Sequence, residues 1–200
     1  MISQETDQVL DLTPYFNNDG ISYESDRTDG DFTGMGNTYA AENLPPSTSI
    51  VTFYGVSFRF PDKRDGLKNN VALEGQRIEV PQSMYKCLYL LGASDGNSLE
   101  DSIRFVFANG SQEKAFLGLS SWRLYHKLKY GERPAIKCTG YNFPSQHVYT
   151  NRIAVDYGIW MQEVAITASK VLTSIEFPDN PGMHVFALTL RQSGSDQETQ

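Results

Sequence analysis

Residues 84–93 read MYKCLYLLGA. From Tyr85 to Ala93 the apolar side chains fall at odd and even positions alike, with Lys86 the single charge. A strand with one wet face alternates apolar and polar with period two, so a run that is apolar on both sides belongs to a strand covered on both faces. The turn signal SDGN at 94–97 closes the run. The reading is therefore a central strand of an all-β domain.

Working outward, the same character recurs in short runs. They are IVTFYGVSFRF (50–60), RIEV (77–80), SIRFVFA (102–108), KAFLGL (114–119), PAIKCT (134–139), RIAVDY (152–157), IWMQEVAI (159–166), KVLTSIEF (170–177) and HVFALTL (184–190). Val, Ile, Phe and Tyr dominate them, as suits a pleated surface. FPDKRDG, NGSQ, YGERP and FPDNPG separate them, breaks built on Gly or Pro, most of them beside Asp, Asn or Ser. Long helical periodicity is missing. The spacing predicts a jelly-roll β-sandwich, one domain over 9–190, with a flexible N-terminus at 1–8 and a disordered tail at 191–200. Alternation places Ile103, Phe105 and Phe107 on a core face, and Phe186, Leu188 and Leu190 together on another.

Composition narrows the function. The 200 residues are 40% hydrophobic, enough for one sizeable core. The net charge of −7, with no basic cluster, makes a poor partner for phosphate backbones and argues against nucleic acid. No apolar run is long enough to span a bilayer, and MISQETDQVL has no secretory-signal pattern. The expected location is the cytoplasm for the chain as given, or the exterior if it was cut from a longer protein. The two cysteines, Cys87 and Cys138, sit in strand-like runs and read as buried, inert thiols.

The stretch 29–40, DGDFTGMGNTYA, invites three chemical readings. A dinucleotide-binding turn requires a third small residue where Tyr39 stands, and a surrounding βαβ pattern. An EF-hand is matched by Asp29, Asp31, Thr33 and Gly34, but its twelfth position is Ala40 instead of a bidentate Glu. What is left is a turn into an early strand, with a structural calcium on Asp19, Asp29 and Asp31 as the alternative.

A series of segments carries a family likeness. They include LDLTPYFNNDGIS (10–22), DGDFTGMGNTYAAENLP (29–45), YGVSFRFPD (54–62), NNVALEGQRIEVP (69–81) and YKCLYLLGASDGN (85–97), followed by FANGS (107–111), LSSW (119–122) and KVLTSIEFPDNPGMHVFALTL (170–190). The series resembles β-sandwich accessory domains of glycoside hydrolases, of the galactose-binding-like, carbohydrate-binding-module type. The resemblance implies a jelly roll, a structural calcium, and a saccharide held at a loop end or concave face.

Saccharide binding needs aromatic faces for pyranose stacking and a few convergent polar groups. Segment 122–160 supplies both: Trp122, Tyr125, Tyr141, Phe143, Tyr149, Tyr157 and Trp160, with His147 and Arg152 as hydrogen-bonding partners. For any one of these aromatics, core packing is the commoner role. Against catalysis, the acids are scattered where a glycosidase needs a facing pair, and no nucleophile motif occurs. The expected function is non-catalytic saccharide binding. The alternatives are a hydrolase or isomerase on the same scaffold, or an assembly module that forms a homo-oligomer through sheet edges.

Overall fold

The computed structural model describes residues 6–124, 127–144 and 156–193. Its axis is β7 (Arg77–Ser94). The first half of β7 pairs with β14 (Val171–Glu176), and the sheet continues to β8 (Leu99–Phe107) and β9 (Gln112–Leu119). The second half is flanked by β15 (Asp179–Gln192) on one side and β13 (Asp156–Ala165) on the other. β15 also pairs with β1 (Asp7–Val9) and β6 (Val71–Glu74), while β13 pairs with β10 (Arg123–Leu124) and β11 (Arg133–Cys138). All these pairings are antiparallel. A hairpin of β4 (Ile50–Phe53) and β5 (Val56–Arg59) covers part of the outer face. So does a small sheet of β2 (Ile21–Ser22), β3 (Thr38–Ala40) and β12 (Tyr141–Asn142). Two short 3-10 turns, Thr13–Tyr15 and Ala41–Asn43, are the helical elements among the described residues, so none there is long and apolar enough to cross a membrane.

The chain is an all-β sandwich, and β7 serves two cores. Leu88 and Leu90 enter one core with Ile103, Phe105, Phe107 and Ile175. Cys87, Tyr89, Leu91 and Ala93 enter a second with Phe58, Phe60, Tyr39, Trp122 and Tyr157. This is the geometry that a run apolar on both sides demands: every residue from Cys87 to Ala93 is buried. Ile103, Phe105 and Phe107 all face inward as their alternation requires. The thiols of Cys87 and Cys138 are free and buried, and burial pushes both up to about 12, so they stay protonated and inert.

Four local features differ from the sequence reading. The run 50–60 is two strands, because Tyr54 and Gly55 both take positive φ (51° and 77°) and form a two-residue hairpin turn of the kind that matches strand twist. Pro81 does not end a strand. It lies where the register on β14 jumps from Ser83 to Glu79, a bulge that tolerates a residue with no N–H to donate. Phe186 does not share a face with Leu188 and Leu190: the ladder to β7 shifts between Val185 and Ala187, which sends Phe186 into the second core and the two leucines into the first. At the termini, strand pairing begins within 1–8 and runs past 190. Asp7 lies opposite Arg191 in β15, whose Nε and Nη2 donate to its carboxylate at 2.8 and 3.1 Å. Residues 1–5 and 194–200 lie outside the described residues.

Candidate functional site

The stretch DGDFTGMGNTYA folds as a tight turn into β3. Gly34 and Gly36 adopt φ of 72° and 77°, which lets Phe32 N–H reach the Asn37 carbonyl at 2.7 Å. Asp31 Oδ1 accepts from Thr33 N–H (3.0 Å), and Asn37 Nδ2 donates to Thr33 Oγ1 (3.0 Å). Phe32 is buried against Trp122 and His184, so the loop is plugged into the second core while Met35 at its tip is 72% exposed.

Buried amides anchor the base of this loop. Asn69 Oδ1 accepts from Gly20 N–H (2.9 Å), and its amide donates to Asp19 Oδ1. Asn70 Nδ2 donates to Asn18 Oδ1 (3.0 Å), and Asn70 Oδ1 contacts His184 Nδ1 at 2.8 Å. His184 is thus a structural residue. Burial lowers its pKa to about 4, against a smaller opposing pull from Asp31.

The turn forms one wall of a cleft of about 730 Å³ at the end of the sandwich. Thr33, Met35 and Asn37 come from this turn. Asp95, Asn97 and Ser98 come from the β7–β8 turn, and Arg123, Lys127 and Lys129 from the segment after β9. Backbone bonds join these walls: Ser94 N–H donates to Ser120 O (3.0 Å), and Trp122 N–H to Ser94 O (2.8 Å). Ser98 Oγ accepts from Ser121 N–H at 3.1 Å. Burial raises the Asp95 carboxyl, although the Asp95 and Gly96 N–H groups pull it partly back; nearby Asp31 adds to the rise. The 127–131 wall is fixed from beneath by buried Glu132, which accepts from Ser120 N–H (2.6 Å), Ser120 Oγ (3.0 Å) and Tyr130 N–H (2.9 Å). Hydroxyl, amide, carboxyl and ammonium groups therefore surround a space large enough for a small ligand.

The aromatics expected to stack on a ligand are distributed differently. Trp122 backs the cleft at 2% exposure, at the centre of an aromatic cluster with Phe32, Tyr39, Tyr141 and Tyr157 (centroids 5.2–5.5 Å away). Tyr157 and Trp160 are fully buried, and Trp160 Nε1 donates to Ser121 O (2.9 Å). Tyr141 is buried, and Phe143 packs half-buried on the second core. These four form the scaffold behind the cleft; of the expected set, Trp122 alone lines it among the described residues. Tyr125, His147, Tyr149 and Arg152 lie outside the described residues. Sequence reasoning missed Asp95, Asn97 and Glu132 as site residues. The first two sit in a turn flagged only as a strand break, and Glu132 reads on paper as one more scattered acid.

The three aspartates expected to hold calcium each have local roles. Asp29 Oδ2 accepts from Gly66 N–H (2.8 Å), Asp31 caps Thr33, and Asp19 bonds Asn69. Burial raises Asp19 to about 6; its bond to Asn69 opposes this, and the charges of Asp29 and Asp65 add to it. Among the described residues no group of three or more His, Cys, Asp or Glu converges as metal ligands.

Comparison with known families adds one decisive observation. The model of the AziU2-like beta-sandwich domain family matches residues 5–194, nearly the whole chain. The chain belongs to the AziU2-like beta-sandwich domain family. The match runs from the residues just before β1 to those just after β15, so in this AziU2-like domain it takes in both cores and every wall of the cleft. No curated protein matches the sequence.

Proposed function

We propose that this AziU2-like domain is a non-catalytic binding module whose end cleft takes a saccharide or a similarly polyhydroxylated small molecule. The observation that carries the reading is the lining of the cleft: Thr33, Asn37, Asn97, Ser98 and Ser121 beside Asp95, the one carboxyl among the described lining residues, with Arg123, Lys127 and Lys129 as further hydrogen-bond donors. Hydroxyl and amide groups in a fixed concave frame suit a ligand that both donates and accepts hydrogen bonds. Hydrolysis of a glycosidic bond uses two carboxyl groups flanking it, and among the described lining residues Asp95 is the one carboxyl present. That favours binding over a hydrolase on the same scaffold.

In this cleft recognition is polar, since Trp122 lends shape and not a free stacking face. The prediction is specific to the cleft. Titration of a bound saccharide should weaken at least tenfold, about 1.4 kcal/mol, in Asp95→Asn and in Asn97→Ala. Phe116→Ala, an exposed aromatic away from the cleft lining, should leave affinity unchanged. Loss in Phe116→Ala with full binding in the cleft variants would move the ligand to the open sheet face. A structural calcium at Asp19, Asp29 and Asp31 is the second part of the proposal. Running each titration with calcium and with chelator tests it.

A further inference from the structure

A second pocket, of about 250 Å³, opens between the Thr13–Tyr15 turn, the end of β5 and the loop that follows it. It shares no lining residue with the end cleft. We propose that it is a binding site for a small carboxylic acid with a compact apolar body.

Three observations meet there. The interior is apolar: Leu12, Phe60 and Phe186 are buried and line it, with Phe16 and Leu67 on its sides. The polar part of the wall is cationic in excess, Arg59, Arg64 and Lys68 against Asp11 and Asp62, in a protein whose net charge is −7. Both carboxylates are also engaged locally. Asp11 accepts from the N–H and hydroxyl of Thr13 (3.0 and 2.7 Å), and Asp62 accepts from Arg64 at 2.8 Å. Arg59 and Lys68 are exposed and stand beside an apolar hollow, which is the arrangement an amphiphilic anion complements. A guanidinium such as that of Arg59 binds a carboxylate with two parallel N–H donors, so a carboxylate is favoured over a neutral polar head.

The third observation is backbone strain. Thr48, in the wall of the pocket, has φ of 57°. A β-branched residue rarely adopts that conformation, and strained residues concentrate where a ligand is clamped. The surrounding contacts hold it there: Thr48 N–H donates to Pro61 O (3.3 Å), and Ser49 N–H and Oγ both donate to Pro46 O (3.3 and 2.7 Å).

Phenylacetate and its neutral isostere phenylacetamide test the proposal on the purified chain by isothermal titration. Phenylacetate should bind saturably at one site, and phenylacetamide at least tenfold more weakly. Arg59→Gln should weaken phenylacetate at least tenfold and Arg59→Lys less, both with an unchanged unfolding midpoint because the side chain is exposed. Asp95→Asn should leave phenylacetate binding untouched, which keeps this site separate from the saccharide reading. Equal affinity for the two compounds, binding indifferent to Arg59→Gln, or no saturable binding of phenylacetate would each overturn the proposal.

Discussion

Glu132 shows how much one side chain can organise. Its buried carboxylate satisfies three donors, and those donors hold the 127–131 wall of the cleft to the end of β9. Glu132→Ala would leave these donors, two of them on the fully buried Ser120, without their acceptor, at a cost of roughly 2–4 kcal/mol in chemical denaturation. Glu132→Gln keeps one acceptor oxygen and should lose less. Asp19 and His184 make a second residue-scale prediction, through pH. Asp19 is raised from 3.8 to about 6, so its folded form holds a proton more tightly; the stability it gives is full below 3.8 and is lost as pH rises through 6. His184 is lowered from 6.5 to about 4, so its contribution is present above 6.5 and is lost as pH falls through 4. The two slopes oppose each other in one window. Asp19→Asn retains the oxygen that Asn69 bonds but removes the proton, so its stability should fall more steeply than wild type between pH 6 and 4 in urea titrations. A shallower fall would contradict the assignment. The structural roles of His184, Asn69 and Asn70 have a visible source in sequence: each stands at the head of an apolar strand run, in HVFALTL (184–190) and NNVALEGQRIEVP (69–81), where a polar group has few partners besides loop backbone and its strand neighbours. The buried setting of Asp19 has no such signal in sequence, since Asp19 meets its partner Asn69 only across fifty positions of chain.

At the scale of elements, β7 was the most readable part of the chain. A run apolar on both sides can satisfy only a doubly covered strand, and the two cores follow from that. Its length was not readable, because Pro81 signals a stop and only the partner strand β14 supplies the bulge that absorbs it. Phe186 was misplaced for the same reason: a period-two argument fails at a bulge, and a bulge is a property of two strands. β7 also carries a close approach. A Cβ on Gly92 would lie 2.7 Å from the His184 carbonyl in the neighbouring β15, so the backbones must part to admit it. Gly92→Ala should destabilise by roughly 2 kcal/mol or more, read from the urea midpoint. Gly55→Ala meets no such atom and has only the strain of φ 77°, so it should cost about 1 kcal/mol. If Gly92→Ala were the milder of the two, the packing of β15 on β7 would be looser than described.

For the whole molecule, strand content and turn spacing led correctly to an all-β sandwich, which membership of the AziU2-like beta-sandwich domain family supports independently. The site was only half legible. TGMGN stands out in sequence as a metal or phosphate loop, SDGN only as a strand break and LSSW only as part of a family likeness; the fold sets the turn before β3, the β7–β8 turn and the segment after β9 around one cleft. Aromatic count pointed to segment 122–160, but Trp122, Tyr157 and Trp160 fill the second core, because a sandwich with a loop-rich outer layer needs large side chains to pack beneath it. The polar ring of the cleft is the feature a saccharide would meet, and binding itself tests it. A glycan array should be probed with the purified wild-type chain and with Asp95→Asn, each with calcium and with chelator. Saccharide binding in the cleft predicts signals for the wild type that Asp95→Asn loses. A blank array for the wild type in both conditions, or signals that survive in Asp95→Asn undiminished, would contradict it.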